Sequence, residues 1–105
     1  MPLTVKDLME RMPGALIKEK AEGMDEVIQF HLGEGGDWIC KIKDQTCTVE
    51  QGTTDDADLV VSGEDSDYID MITGKLNPMT AIATKKIELK GDLNLAMKYM
   101  NVFDL

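Results

Sequence analysis

Few residues of this chain combine the types and spacing that chemistry requires. His31 is the only histidine, and it alternates with apolar neighbours so that it falls on the polar side of a predicted strand. One exposed imidazole makes neither a Ser–His–Asp nor a Cys–His–Asn arrangement. The chain also offers too few His and Cys residues in workable spacing for a zinc site. We therefore predict no catalytic residue, no metal and no cofactor.

Two further motifs resemble binding loops without their full pattern. Residues 33–36 read Gly-Glu-Gly-Gly, but a strand follows them, so they lack the helix N-terminus that holds a pyrophosphate. The acid-rich stretches 55–58 and 65–67 lack the glycine turn and the bidentate glutamate of a calcium loop. We interpret the first motif as a hairpin turn and the other two as a solvated loop and a helix cap.

The two cysteines lie on the two strands of one predicted hairpin. If Asp44 and Gln45 form its turn, Cys40 faces Val49, and Cys40 and Cys47 are diagonal neighbours at roughly 7–8 Å. That separation is too long for an unstrained disulfide. We predict two buried, reduced thiols, as in a protein of the cytoplasm.

The remaining excess is methionine, with eight in 105 residues. Met71, Met79, Met97 and Met100 fall at helical spacing on predicted apolar faces of the C-terminal half. Such a pattern is typical of an ordinary core. It also suits an adaptable lining that accepts varied apolar ligands, and the spacing alone leaves both interpretations open.

Composition limits the class of protein. The length of 105 residues predicts one domain, 1–105, and the content of 43% hydrophobic and 30% charged residues is that of a globular protein. A net charge of −9 argues against nucleic acid and against a broad basic face on anionic lipid. No apolar run is long enough for stable membrane insertion. Neither a signal peptide nor a peroxisomal address is recognisable, so we expect a cytoplasmic protein.

Periodicity predicts the elements that position these residues. Five segments alternate apolar and polar residues, which is typical of strands with one buried face. They lie at 28–32, 38–42, 47–49, 59–61 and 87–89. We predict a five-stranded, largely antiparallel sheet with one face in water and the other covered by amphipathic helices, an α/β fold of the α+β type. The pattern does not reveal the strand order.

Capping signals mark the predicted helices. Thr4 and Asp7 start the first helix, which Pro13 interrupts or restarts and which continues to Gly23. A middle helix stops at Gly74, and a short one follows Pro78. The last helix begins at Asp92, and its predicted apolar side consists of Leu93, Ala96, Met97, Met100 and Phe103.

Two stretches of the C-terminal half resemble the sterol-carrier-protein-type-2 family. Residues 72–78, Ile-Thr-Gly-Lys-Leu-Asn-Pro, are similar to a helix end and proline turn of that family. Residues 86–97, Lys-Ile-Glu-Leu-Lys-Gly-Asp-Leu-Asn-Leu-Ala-Met, are similar to its closing strand and last helix. Phe30, Trp38 and residues 57–59 match more weakly. Where the family often has a glycine before a lysine, this chain has Thr84-Lys85.

This resemblance implies a sheet with helices on one face and an apolar tunnel between them. It implies binding of a fatty acid, a fatty acyl-CoA or a sterol, without catalysis. The expected ligand-binding residues are Phe30, Trp38, Cys40, Met71, Ile72, Leu76, Met79, Ile82, Met97, Met100 and Phe103. Arg11, Lys75 and Lys85 are candidates for pairing with an acidic head group at the tunnel mouth.

A second function stays open from the sequence. In this alternative, the chain is an accessory or interaction subunit of an enzyme of lipid or quinone metabolism, and it acts as a monomer or as a homodimer. A third class, an enzyme, is disfavoured because no acid–base or nucleophile pair is visible.

Overall fold

Local signals define four α-helices and five strands in the computed structural model, which describes residues 3–103. In chain order they are α1 (Val5–Ala15), β1 (Asp25–His31), β2 (Asp37–Lys43), β3 (Thr46–Gln51), β4 (Leu59–Gly63), α2 (Asp65–Ile72), α3 (Pro78–Ala83), β5 (Ile87–Gly91) and α4 (Leu93–Val102). Two short 3-10 helices, Lys18–Ala21 and Gly33–Gly35, lie in the connections on either side of β1. The second of them is the glycine-rich turn before β2.

The five strands form one sheet in the order β3-β2-β1-β4-β5. Three neighbouring pairs are antiparallel, and β1 and β4 are parallel. The β2–β3 turn is the predicted one, because Asp44 and Gln45 have φ angles of 53° and 59°. Two central residues with positive φ suit the right-handed twist of a hairpin. The predicted fold class is confirmed, and the parallel pair makes the sheet mixed.

Side-chain caps begin three of the helices. Thr4 and Asp7 form a reciprocal capping box at α1, as predicted. The Asn77 side chain accepts from the backbone N–H groups of the first turn of α3, and Asp92 does the same for α4. Such caps satisfy donors that the helix itself leaves unpaired.

The first helix is shorter than the sequence suggested. It passes through Pro13 and ends at Ala15, well before Gly23. Leu16 is extended and forms an isolated bridge with Phe103, and the Ile17 N–H donates to the Val102 carbonyl at 2.7 Å. A long-range backbone contact therefore takes the place of the expected helical turns.

The helix-covered face of the sheet, here called the inner face, supplies the core. Its side chains are buried beneath the helices: Ile28, Phe30, Trp38, Cys40, Ile42, Cys47, Leu59, Val61 and Ile87. Helix α1 lies against β3, α3 against β5, and α4 against β4 and β5. The predicted alternation correctly assigns these strand residues to the core.

The opposite face, here called the outer face, is less exposed than predicted. The alternation places Gln29 on the polar face, yet this side chain is buried. Its amide nitrogen donates to the backbone carbonyls of Trp38 and Gly52, and its oxygen accepts from the Thr54 N–H at 2.7 Å. The connection from β3 to β4 crosses this face, since the two strands lie on opposite sides of β1 and β2. The Gln29 side chain thus supplies hydrogen bonds to backbone groups of that crossing segment.

Candidate functional site

The interior between the inner face and the helices brings four aromatic rings together. The Phe30 ring on β1 meets Tyr68 of α2 edge-on, with centroids 5.6 Å apart, and Tyr99 of α4 at 5.7 Å. Tyr99 also contacts Phe103 at 5.2 Å. These geometries are the favourable tilted arrangements of aromatic pairs. The rings therefore join the sheet to both helices.

Two hydroxyl groups lie inside this aromatic cluster. The Tyr68 and Tyr99 hydroxyls are hydrogen-bonded to each other, and the Tyr99 hydroxyl also approaches the Met12 Sδ at 3.9 Å. Burial raises the pKa of both phenols well above the ordinary value of 10.0. Both side chains therefore stay neutral at physiological pH.

The two thiols lie closer together than the sequence indicated. The predicted register is confirmed, with Cys40 opposite Val49 and Cys47 opposite Ile42. Both cysteines are free and buried, yet their Sγ atoms are only 3.4 Å apart. The interaction with Cys47 and burial together raise the pKa of the Cys40 thiol. Diagonal neighbours of the hairpin are thus in sulfur–sulfur contact.

The predicted ligand-binding residues separate into three groups by burial. Five lie in the core: Phe30, Trp38, Cys40, Met71 and Phe103. Ile72 and Leu76 are half-buried against it. Four are exposed on α3 and α4: Met79, Ile82, Met97 and Met100. The structure therefore does not bring the eleven residues into one lining.

The exposed group reflects an incorrect face assignment for both helices. On α3 the buried residue is Ala81, and Met79 and Ile82, predicted to face the core, are exposed.

The inward side of α4 was also assigned incorrectly. Leu95, Tyr99 and Val102 point inward, and the sequence reasoning overlooked all three. Leu93 and Met97, predicted to face the core, are 60% and 71% exposed. Both sets follow the same spacing of four and then three residues, so each forms an apolar stripe along the helix. The outward stripe, Leu93, Met97 and Met100, is here called the outer stripe.

The head-group candidates all lie on the surface. Arg11 is on α1, whereas Lys75 and Lys85 occupy the turns on either side of α3. Lys85 has φ 61°, in the left-handed region that favours glycine. A glycine at this position would adopt the same conformation without the steric cost that a Cβ brings. Lys85 incurs that cost and places a cation at this turn.

A cleft of about 300 Å³ opens at the ends of β4 and β5. It is lined by Ser62, Gly63, Glu64, Asp67, Lys85, Lys86 and Glu88. Polar and charged walls distinguish it from the apolar tunnel that the resemblance implies. In this structure core side chains themselves occupy the space between sheet and helices.

The remaining polar candidate, His31, lies at the end of β1. Its Nδ1 is 2.8 Å from an Asp37 carboxylate oxygen on the neighbouring strand, and both side chains are substantially exposed. The pair is a cross-strand contact at the surface. Within residues 3–103, none of the helices has both the length and the apolar content that crossing a bilayer requires.

Comparison with known proteins identifies the family. The model of the SCP-2 sterol transfer family matches residues 5–104. The hydroxysteroid dehydrogenase-like protein 2 of Mus musculus is 32% identical over 97 residues, which cover 90% of this chain and 20% of that protein. This chain thus spans about a fifth of the length of that relative.

Solved structures agree with the fold. The palmitated sterol carrier protein 2-like 2 of Aedes aegypti is 28% identical, with a TM-score of 0.67 over 95% of this chain and 94% of that one. Two further structures have lower sequence identity to this chain, and their likeness concerns the fold alone. A sec-alkylsulfatase of Pseudomonas sp. has a TM-score of 0.88 at 21% identity, over 98% of this chain and 17% of the enzyme. The ubiquinone synthesis protein UbiJ has a TM-score of 0.75 at 15% identity, over 93% and 90%.

The chain therefore belongs to the SCP-2 sterol transfer family. This membership confirms the resemblance found in residues 72–78 and 86–97. It also associates the fold with lipid binding and transfer at the level of the family.

Proposed function

We propose that residues 1–105 act as one non-catalytic domain that binds and carries a single long apolar molecule between the inner face and the helices. A fatty acid, a fatty acyl-CoA and a sterol-like lipid are the candidate cargoes. The observation that supports this most is the content of the interior. Four of its buried side chains are methionines: Met9, Met12, Met24 and Met71.

Methionine suits an interior that must open. Its side chain is unbranched and flexible, so it can refill or vacate space at low cost. Met12 and Met71 belong to α1 and α2, two of the helices that cover the sheet. Rearrangement of these side chains, with a small displacement of the helices, would make room for a ligand.

The magnitudes permit useful affinity. Burying a chain of about 15 methylenes contributes roughly 12 kcal/mol, at about 0.8 kcal/mol for each group. Association costs about 4–15 kcal/mol. The difference allows binding up to the micromolar range. A fatty acid as cargo is supported by the palmitated relative from Aedes aegypti, which is 28% identical to this chain.

The predicted binding residues then have different roles. Phe30, Trp38, Cys40, Met71 and Phe103 would contact the ligand in the interior, with Ile72 and Leu76 at its edge. The exposed group (Met79, Ile82, Met97 and Met100) would contact it only if α3 and α4 close over the cargo. Arg11, Lys75 and Lys85 would pair with an anionic head group at the surface. Two free thiols suit a reducing compartment such as the cytoplasm.

Native mass spectrometry of freshly purified protein, followed by solvent extraction, tests the proposal. We expect a co-purifying lipid, or adduct formation after incubation with fatty acids. Affinity should rise about fourfold per added methylene, because each contributes about 0.8 kcal/mol. Met71→Ala should change the dependence of affinity on chain length. Leu93→Ala, the exposed control, should leave it unchanged. Affinities that do not depend on chain length would contradict an interior site.

A second function, as an accessory subunit or homodimer, is favoured by the outer stripe. An apolar stripe on an exposed helix is what an interface with another chain requires. The fold likeness to a ubiquinone synthesis protein fits this alternative. Light scattering of the purified chain is the test. A dimer that Met97→Lys converts to a monomer would support it, and a monomer at all concentrations would exclude the homodimer.

A further inference from the structure

Tyr68 and Tyr99 differ from the other buried polar side chains in what they bond to. Gln29 bonds to three backbone groups, on Trp38, Gly52 and Thr54. The Trp38 indole donates to the Gly35 carbonyl at 2.8 Å. The two phenols, 0% and 4% exposed, bond only to each other and to a methionine sulfur. Within residues 3–103 neither hydroxyl is hydrogen-bonded to a backbone group.

One hydrogen bond of this pair is made to a weak acceptor. A phenol has one donor and accepts through its oxygen, whereas a thioether is a weak acceptor. One hydroxyl proton serves the Tyr–Tyr bond, and the other, on Tyr99, faces Met12 Sδ at 3.9 Å. If a ligand oxygen took the place of the Met12 Sδ as the acceptor, the weak contact of the Tyr99 hydroxyl would become a full hydrogen bond. Two phenylalanines would fill the same space without burying any polar group.

The surroundings of the pair favour a neutral partner. Among the described residues no lysine or arginine is buried. An ionised carboxylate brought here would lose its hydration without a compensating cation. The phenols themselves remain protonated, because burial raises their pKa values well above the ordinary value. A hydroxyl group, which donates and accepts, matches both phenols at once.

We propose that the Tyr68 and Tyr99 hydroxyls bind the polar end of the cargo, and that the end they select is a neutral hydroxyl group on a long apolar body, as in a long-chain alcohol. This inference rests on the proposed function. The ligand hydroxyl inserts beside Met12, donates to one phenol and accepts from the other. Its apolar body follows the space now held by Met12 and Phe103.

The interior tyrosine pair and the surface lysines favour cargoes with different polar ends. Lys75 and Lys85 would favour an anionic head group held at the protein surface. Tyr68 and Tyr99 favour an uncharged one held in the interior. Ligands that differ only in their polar end therefore separate the two anchoring modes.

The test compares hexadecane, hexadecanol and hexadecanoate, which share one chain length. Binding to the full chain is measured for the natural protein and for the double variant Tyr68→Phe/Tyr99→Phe. We expect the preference for alcohol over alkane to fall about tenfold in the variant, the value of one neutral hydrogen bond. Hexadecane affinity should change little. Thr73→Val, which removes an exposed hydroxyl just after α2, is the control and should keep the preference.

Two outcomes would overturn the inference in distinguishable ways. If the double variant binds all three probes with the natural preference, the phenols are not the anchor, while the proposed carrier function stands. If the natural protein binds none of the probes, the proposed function fails, and the anchor fails with it.

A measurement on the natural protein avoids dependence on the variant's folding. The tyrosine doublet in the Raman spectrum responds to hydrogen bonding of the phenol. We expect hexadecanol to change the ratio of its two bands and hexadecane to leave it unchanged. An equal response to both ligands, or a response to neither, would contradict the assignment.

Discussion

The two faces of α4 share a spacing and differ in environment. Leu95, Tyr99 and Val102 are buried against the sheet, whereas Leu93, Met97 and Met100 form the outer stripe. Each set places three apolar residues along one side of a ten-residue helix. Periodicity therefore shows that α4 carries two apolar stripes. Only its contacts with β4, β5 and the 3-10 helix Lys18–Ala21 determine which stripe is buried.

The difference also indicates distinct uses for the two sets. The inner one joins the aromatic cluster and holds a hydroxyl that we assign to ligand binding. The outer stripe offers apolar area to solvent and is available to a partner. The following experiments test this division, beginning with the largest expected effect.

Two leucines of α4 provide a matched comparison. Leu95 is 1% exposed and Leu93 is 60% exposed, although they lie two residues apart. Leu95→Ala should lower the free energy of unfolding by about 2–5 kcal/mol, because it leaves a cavity in the core. Leu93→Ala should change it by no more than about 0.5 kcal/mol. Urea denaturation measures both, and equal effects would mean that the assignment of the faces is incorrect.

A backbone substitution near α3 provides an intermediate effect that burial does not cause. Lys85→Gly should raise the free energy of unfolding by about 0.5–1 kcal/mol, since glycine adopts a positive φ without the steric cost that other residues incur. Lys86→Gly is the control, because Lys86 is not among the positive-φ residues. It should be neutral or destabilising. If urea denaturation showed both variants to be destabilised equally, steric strain at the positive φ of Lys85 would be contradicted.

A smaller, pH-dependent effect is expected beside α4. Burial and then Asp58 raise the pKa of Glu26, which Lys98 partly offsets. A raised folded-state pKa gives stability that is present below the unfolded value of 4.5 and lost as pH rises through the folded one. Glu26→Gln should therefore melt slightly higher than the natural protein near neutral pH and lose this advantage in acid. An advantage that persists in acid would contradict the titration of Glu26.

Methionine oxidation distinguishes the two regions without an amino-acid substitution. Dilute peroxide should oxidise the exposed methionines, Met79, Met97 and Met100, well before the buried ones, Met9, Met12, Met24 and Met71. Peptide mass spectrometry gives the order. Early oxidation of the buried set would show that the interior opens readily even without a ligand. Slow oxidation of the exposed set would indicate that a partner covers the outer stripe.

Much of the fold was predictable because it depends on short-range rules. Alternation over two residues assigned Phe30, Cys40 and Val61 to the core, and turn chemistry placed Asp44 and Gln45 between β2 and β3. The candidate site was less predictable. Tyr99 belongs to it by contact with Tyr68, a residue 31 positions away in the chain, and no local pattern encodes that pairing.

What the sequence by itself determined was the set of elements, the class of sheet and the family, since caps, turns and alternation act over a few residues. What only the tertiary structure decided was which apolar stripe of α4 faces inward, that Gln29 is buried beneath a crossing segment, and that Cys40 and Cys47 touch. Each of these depends on which surfaces meet after the strands have been ordered. The physical reason is that burial is a property of the contacts between elements, and spacing along one element limits those contacts without selecting among them.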